Sequence, residues 1–348
     1  MSLAEVCAAL IVAGLTAYAV LAGADFGAGF WDLVAGGPER GARVRGLVQR
    51  SMAPVWEANH VWLIFVLVVL WTAFSTGFAA VVTTLYIPLT LAAFGMLARG
   101  AAFAFRKSIS SLPMRRFFGA CFAASSLATP FFLGTVVGAV ASSRFPPGIA
   151  TGNVVTSWLN PTSILGGVLA VLVCAYLAAV FLCLDARREG HDDLADQFRT
   201  RALGTAATTG AVGLVGIFVL RADAPLLFEG LVGRALPVIV VSGLAGVASI
   251  VLLIVRRYGV ARITSSVAVA TILIGWAVAQ YPYLLLPSLT IEEAARGRAT
   301  LVAMTVVLVL GSLVLVPALV WMFVLFSRPP RADSAEAVEA RGARSSIV

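Results

Sequence analysis

Charged residues are scarce in this chain of 348 residues: Asp, Glu, Lys and Arg make up 12%, whereas hydrophobic residues make up 60%. Soluble domains carry about twice that charged share, roughly 25%. With a mean hydropathy of +0.97, the composition excludes one soluble domain and predicts an all-α, polytopic membrane protein. A net charge of +8 could suit nucleic acid, but the basic residues lie in short segments beside apolar stretches, a pattern typical of membrane topology. We therefore expect no nucleic-acid partner.

Histidine and cysteine, the residues that most often ligate haem and soft metals, are also few. The two histidines are His60 and His191, and the four cysteines lie in apolar stretches without a Cys-x-x-Cys pair. A buried haem with two axial ligands needs a matched pair of side chains, and His191 lies in a charged segment. The chain is therefore predicted to hold no haem ligand, no metal site and no disulfide framework. The sequence also lacks an evident repeat or Gly-rich phosphate motif.

Long apolar stretches occupy most of the sequence. A helix needs about 20 residues to cross the hydrocarbon core, and a tight turn at Ser75-Thr76-Gly77 divides one stretch that is too long for a single crossing. The first stretch lacks the basic region of a cleavable signal peptide and is expected to remain as a helix. We predict nine transmembrane helices at residues 5–33, 53–75, 78–104, 117–141, 160–184, 202–221, 235–255, 262–285 and 299–326.

Lys and Arg are distributed unequally between the two sets of connections. Most of the 25 basic residues fall in the connections after odd-numbered helices, which the positive-inside rule assigns to the cytoplasm. This predicts an N-terminus outside, a C-terminus in the cytoplasm and one transmembrane domain over 1–326. The polar segment 327–348 is predicted to be a disordered cytoplasmic tail. The charged connector 185–201 is expected to be a solvated loop.

Three ionisable residues interrupt the first three predicted spans. Asp25, Glu57 and Arg99 each lie roughly 6–12 Å from the cytoplasmic end of their helix, at 1.5 Å per residue. Ionisable groups inside a membrane are costly and commonly belong to proton or substrate pathways. Their similar depth predicts one cluster in the cytoplasmic third of the membrane.

Glu57 belongs to a polar stretch that opens the second predicted span. Asn59 and His60 follow it closely, and Trp56 and Trp62 flank all three. The two indole rings are expected to wall a small polar chamber. We predict a proton pathway through Glu57, Asn59 and His60 together with Asp25.

Several interpretations of the charged residues remain open. Arg99 is predicted to be a structural charge partner, but one arginine cannot neutralise both Asp25 and Glu57, which favours a proton-carrying carboxyl group. A cluster that only joins the helices is the structural alternative. A proton-coupled secondary transporter using these three residues is the alternative from another class, although the odd helix count argues against it. Glycines 23, 27 and 29 are expected to allow close helix packing rather than ligand binding.

Three motifs resemble one known family. They are Gly-Ala-Asp-Phe-Gly-Ala-Gly-Phe-Trp-Asp at 23–32, Pro-Val-Trp-Glu-Ala-Asn-His-Val-Trp-Leu at 54–63, and Arg-Gly-Ala-Ala-Phe-Ala-Phe-Arg at 99–106. Their order and content resemble subunit II of cytochrome bd-type quinol oxidases. The resemblance assigns Glu57 to a proton path from the cytoplasm and matches Asp25 and Arg99 to family positions. Where many members carry an acid, this chain has Ala104.

The resemblance also implies a respiratory function. Such complexes lie in the bacterial inner membrane, oxidise a quinol and reduce dioxygen to water. Subunit I carries haems b558, b595 and d, so this chain is expected to be its haem-poor partner in a heterodimer. Some members of the family hold a quinone in subunit II. The sequence leaves open whether this chain binds a quinone or a membrane lipid, and whether a small single-helix subunit attaches.

Overall fold

The computed structural model describes residues 1–37, 39, 41–52, 56–108, 111–144 and 146–326, nearly all of them helical. One antiparallel hairpin, β1 (Tyr283–Leu285) with β2 (Leu289–Thr290), interrupts the helices of the described chain. The all-α prediction is confirmed apart from this hairpin. The helices are α1 (Leu3–Leu33), α2 (Ala42–Met52), α3 (Trp56–Ala73), α4 (Ser75–Thr84), α5 (Tyr86–Ser108), α6 (Leu112–Ala141), α7 (Pro161–Arg188), α8 (Asp192–Asp223), α9 (Pro225–Val232), α10 (Leu236–Ile254), α11 (Tyr258–Gln280), α12 (Ile291–Ala294) and α13 (Arg298–Phe326).

The chain divides into two units, Met1–Val302 and Ala303–Val348. The helix packing and the candidate site described below belong to the first unit. The segment 327–348 lies outside the described residues, so its disorder and the predicted domain boundary at residue 326 stay predictions.

Eight of the described helices are long and apolar enough to cross a membrane, which confirms a polytopic membrane protein. The helices α3 and α4 are bent by 119° relative to each other, and they supply a ninth crossing if the two are counted as one span. The predicted continuous helix 78–104 is wrong, because α4 ends at Thr84 and α5 begins at Tyr86. Pro88 falls in the first turn of α5, where its missing N–H removes no helical hydrogen bond, so a new helix can begin there.

The connector 185–201 is helical over most of its length, so the predicted solvated loop is wrong. Only a break around residues 189–191 separates α7 from α8. Asp192 and Asp193 occupy the first turn of α8, where negative charge interacts favourably with the helix dipole. The Arg43 guanidinium on α2 lies 2.5 Å from the Asp193 carboxylate. This ion pair joins α2 to the first turn of α8, which was predicted to be part of a loop.

The first helix is central to the packing of its unit. It contacts α3, α6, α7 and α11, and every residue from 22 to 29 is buried. Close approach is possible because Gly27 lies directly against α7: a Cβ atom there would be 1.8 Å from the carbonyl oxygen of Cys174. The contact confirms that Gly27 serves helix packing. It also places the adjacent Asp25 deep between neighbouring helices.

Candidate functional site: a buried aspartate, asparagine and arginine

Asp25 on α1 is almost completely enclosed, with 2% of its surface exposed. Asn59 on α3 is buried to the same extent, and its Nδ2 donates a hydrogen bond to Asp25 Oδ2. The same nitrogen lies 3.4 Å from the carbonyl oxygen of Leu21. A buried carboxylate needs such donors because it has lost its hydration. The amide therefore joins α3 to α1 and orients the Asp25 side chain.

Arg99 on α5 is the cation of this cluster and is 3% exposed. Its Nη2 donates to the main-chain carbonyl oxygen of Asp25 at 2.8 Å, and its Nε donates to Ser126 Oγ on α6 at 3.1 Å. The guanidinium carbon also lies 4.8 Å from the ring centre of Phe26 and 5.1 Å from that of Phe122. Arginine suits such a position because its planar group can hydrogen-bond at its edge and stack on rings. One side chain thus joins three helices.

The two hydrogen bonds of Arg99 determine how it compensates Asp25. They go to the Asp25 carbonyl oxygen and to the Ser126 hydroxyl, not to the Asp25 carboxylate. The positive charge therefore lies beside the carboxyl group without a bidentate pair that would occupy both carboxylate oxygens. The cluster combines charge compensation with a carboxyl group that retains capacity for a proton.

His60 forms part of the wall of this cluster. Its ring centre lies 6.0 Å from that of Tyr18 and 5.9 Å from that of Phe26. Trp62 packs against the same apolar group and against Phe65, with ring centres 6.3 Å apart. These contacts place His60 and Trp62 against the aromatic residues of α1 that neighbour Asp25 in the sequence. Trp56 begins α3, but its side chain lies outside the described residues.

Glu57 lies apart from the cluster, although the sequence placed it at a similar depth. It occupies the first turn of α3 and is exposed. Residues two apart on a helix point in different directions, so burial of Asn59 against α1 turns Glu57 outward. The structure therefore brings together Asp25, Arg99 and Asn59 but leaves Glu57 on the surface of this chain.

Ser126 is a contact of the Asp25–Arg99 cluster that the sequence analysis did not single out. It is 2% exposed and donates to the carbonyl oxygen of Phe122 at 2.6 Å while accepting from Arg99. A Cβ atom on Gly29 would lie 2.1 Å from Ser126 Oγ, so the glycine leaves the space that this hydroxyl occupies. Ser125-Ser126 within an apolar stretch was the available sign, since hydroxyls join helices in membranes.

A second charged contact lies at the end of α1 and joins it to α2. The Asp32 carboxylate is 3.0 Å from Arg45 Nε, and Trp31 Nε1 donates to the carbonyl oxygen of Ala175 at 2.8 Å. These contacts fix the end of α1 against both α2 and α7. Among the described residues, no group of three or more His, Cys, Asp and Glu side chains could hold a metal ion.

Comparison with known proteins gives one consistent result. Residues 3–326 match the family described as cytochrome bd terminal oxidase subunit II. Subunit 2 of a cytochrome bd ubiquinol oxidase from Bacillus subtilis is 31% identical over 167 residues, which are 47% of this chain and 48% of that relative. Subunit 2 of cytochrome bd-I ubiquinol oxidase from Escherichia coli K12 is 26% identical over 215 residues, 59% of this chain and 54% of that relative. These alignments therefore span about half of each relative.

One solved structure is also similar over nearly the whole chain. It is a bd oxidase from Geobacillus thermodenitrificans, with a TM-score of 0.74 and 25% sequence identity. The alignment covers 94% of this chain and 99% of that one. The similarity thus extends to the fold as a whole and is not restricted to the three motifs.

Proposed function

This chain belongs to the cytochrome bd terminal oxidase subunit II family, and from that membership we propose that it supports proton delivery in a membrane quinol oxidase. Its partner is the haem-bearing subunit I, and the pair lies in the cytoplasmic membrane of a bacterium. The observation that carries the proton role is the buried cluster of Asp25, Asn59 and Arg99. Its inner carboxyl group is oriented by an amide and compensated by a guanidinium that does not clamp it.

The haems b558, b595 and d implied for such a complex are assigned to subunit I. In this chain His60, which lies on α3, is close to the rings of Tyr18 and Phe26 on α1. His191 lies between α7 and α8, where its Nδ1 is 3.6 Å from the Glu189 carboxylate. The two imidazoles occupy different surroundings and do not supply the paired ligands that a buried haem requires. Bound in the complex, the haems supply electron transfer and dioxygen reduction, and no proton step below passes through them.

The membrane orientation follows from the distribution of basic residues. We assign the α2 side to the cytoplasm, since Lys and Arg concentrate there, and the N-terminus to the outside. Glu57, in the first turn of α3, then lies at the cytoplasmic entrance. Protons taken up here for water formation, together with protons released outside by quinol oxidation, build a membrane potential.

Asp25 is the inner proton-holding group in this proposal. Glu57 collects a proton at the exposed start of α3, and the proton continues along the α1–α3 contact to the Asp25 carboxyl group. Asn59 Nδ2 donates a hydrogen bond to Oδ2 of that group, and this bond fixes the direction in which Oδ1 points. Arg99 offsets the charge of the deprotonated form, since a buried carboxylate without a nearby cation is strongly disfavoured.

We predict that Asp25→Asn lowers oxygen consumption by about a hundredfold or more, the usual contribution of a positioned proton-transfer group. The amide keeps the shape and the contact with Asn59 but cannot carry a proton. Quinol-driven oxygen uptake by the purified complex measures the loss, and its visible haem spectrum measures assembly. Because the variant also leaves Arg99 without its counter-charge, reduced assembly is expected beside the loss of turnover.

A neutral double variant separates proton transfer from charge balance. Asp25→Asn with Arg99→Gln removes both buried charges and leaves an uncharged amide side chain at each position. If Asp25 carries protons, the double variant regains assembly but stays inactive. If oxygen uptake recovers together with assembly, the cluster has only a structural role and Asp25 does not carry protons.

Glu57→Gln should slow oxygen consumption by about tenfold, the low end of what a charged entrance adds to delivery, with assembly unchanged. The loss is smaller than at Asp25 because Glu57 is exposed and water can reach the path directly. Glu39→Gln is the matched control, since Glu39 is also an exposed glutamate on the α2 side. Equal oxygen uptake in both variants and the parent complex would rule out Glu57 as the entrance.

A further inference from the structure

Ser126 on α6 is a buried hydroxyl that the proton path through Glu57 and Asp25 does not use. Its side chain is 2% exposed. The hydroxyl donates to the Phe122 carbonyl oxygen at 2.6 Å and accepts from Arg99 Nε at 3.1 Å. A hydroxyl has a single proton to donate, so the bond to Phe122 leaves its lone pairs for the arginine. Ser126 therefore serves Arg99 as an acceptor.

The two bonded nitrogens of Arg99 belong to one edge of its guanidinium group. Nε donates to Ser126, and Nη2 donates to the main-chain carbonyl oxygen of Asp25 at 2.8 Å. Arginine commonly binds a carboxylate with such an edge, through two parallel hydrogen bonds. Here a hydroxyl and a main-chain carbonyl oxygen occupy it, although the Asp25 carboxylate belongs to the same residue as that carbonyl. Ser126 thus supplies one of the two acceptors that keep this edge away from the carboxylate.

Neighbouring side chains fix the positions of Arg99 and Ser126. The guanidinium carbon lies 4.8 Å from the ring centre of Phe26 on α1 and 5.1 Å from that of Phe122 on α6. Contacts with rings on two helices favour one position of the planar group. Gly29 on α1 leaves the space for the hydroxyl, since a Cβ atom there would lie 2.1 Å from Ser126 Oγ. The contact between α1 and α6 is therefore fitted to a serine at this position.

Loss of the hydroxyl would change which acceptor Arg99 binds. A buried donor without an acceptor is costly, so Nε would turn to the strongest acceptor beside it, the Asp25 carboxylate. We propose that Ser126 is a positioning residue for proton transfer: its hydroxyl holds Arg99 on the Asp25 carbonyl oxygen, so that the carboxyl group stays unclamped and can take up a proton. This inference rests on the proposed proton role of Asp25.

Ser126→Ala in the purified two-subunit complex tests this role. Quinol-driven oxygen uptake per haem should fall about tenfold, the change that follows from losing one hydrogen bond to a charged group. The KM for quinol should stay unchanged, because the serine is not proposed to contact the quinol. The pH dependence of uptake should differ from that of the parent complex, because the proton-carrying carboxyl group has gained a new hydrogen-bond partner.

Ser125→Ala is the matched control. Ser125 is also buried, at 5% exposure, and its hydroxyl donates to the carbonyl oxygens of Cys121 and Phe122 in its own helix. The control variant should match the parent complex in uptake per haem, KM and pH dependence. Equal uptake per haem in the two serine variants would overturn the proposal. Lower haem content with unchanged uptake per haem would also overturn it, since the serine would then have a structural role alone.

A double variant shows whether Ser126 acts through Asp25. When Ser126→Ala is added to Asp25→Asn, residual uptake should not fall further, because both substitutions affect the same carboxyl group. A further tenfold loss would place the action of Ser126 elsewhere and refute the positioning role. If Ser126→Ala fails to assemble, Ser126→Cys decides, because a thiol is a weaker acceptor and should lower uptake per haem by a smaller factor. Uptake equal to the parent in the cysteine variant would then overturn the proposal.

Failure of the proton path itself gives a different result. Full oxygen uptake by Asp25→Asn would refute the relay, and the role of Ser126 would fall with it. An inactive Asp25→Asn complex beside a fully active Ser126→Ala complex would refute the positioning role and leave the relay standing.

Discussion

Arg99→Ala prevents the complex from assembling: this is the first large effect that we expect. The substitution leaves the Asp25 carboxylate buried without its neighbouring cation, at a cost of about 3–5 kcal/mol. It also removes the hydrogen bonds that join α5 to α1 and α6. Such a loss is a large part of the roughly 5–15 kcal/mol that stabilises a typical protein. Haem absorbance in extracted membranes, with immunodetection of this chain, measures the result.

Two control variants test whether the effect of Arg99→Ala depends on the buried position and on the planar guanidinium group. Arg116→Ala removes an exposed arginine from the same basic side and should assemble normally. Arg99→Lys retains the charge but replaces the planar group with one ammonium, which cannot hold the Asp25 carbonyl oxygen and Ser126 in the same geometry. We expect intermediate yield for the lysine variant. An Arg99→Ala complex with normal haem content and oxygen uptake would show that the cation does not join these helices.

Gly27→Ala should destabilise the complex as the second large effect. The added Cβ atom would lie 1.8 Å from the Cys174 carbonyl oxygen and 2.8 Å from the Ala178 Cβ, so α1 and α7 must separate. Overpacking of this kind costs about 1–3 kcal/mol and occasionally more. Because Asp25 lies two residues away, separation would also disturb its contacts with Asn59 and Arg99. The temperature at which the solubilised complex loses its haem absorbance should fall, and yield should fall with it.

Gly23→Ala is the control for this clash. It lies one turn earlier on α1, where the added atom would have ordinary contacts, 3.5 Å from Leu177 and 3.6 Å from Cys174 Sγ. Both substitutions remove a glycine from a helix and gain similar helix propensity, roughly 0.5–1 kcal/mol. The difference between them therefore reports the close approach alone. Equal thermal stability of the two variants would contradict the packing role of Gly27.

The candidate site shows how far residue depth along a chain predicts proximity. Counting residues from the helix ends correctly brought Asp25 and Arg99 together, because depth in a membrane follows from a fixed rise per residue. The same count grouped Glu57 with them, whereas it is exposed on this chain. Depth says nothing about rotation around the helix axis. Packing of Asn59 against α1 sets that rotation.

Helix boundaries show a similar division. Apolar length identified most of the spans, and the turn predicted at Ser75-Thr76-Gly77 lies next to the 119° bend between α3 and α4. The second break, between Thr84 and Tyr86, lies within a stretch that was predicted to be one continuous helix. Hydropathy does not indicate a change in helix direction when the segments on both sides of it are apolar. The connection between α7 and α8 shows the opposite error. Its charged residues predicted a solvated loop, but most of them lie in helices, and two of them form ion pairs with arginines of α2.

The sequence alone determined that this is a polytopic helical membrane protein and which oxidase family it resembles, and it predicts that the haem ligands lie outside this chain. These conclusions follow from composition, residue counts and ordered motifs, none of which requires contacts to be known. Only the tertiary structure decided that Arg99 binds the Asp25 carbonyl oxygen and Ser126 and that Glu57 faces outward. Those facts depend on helix rotation and on distances between helices far apart in sequence, which close packing around Gly27 and its neighbours determines.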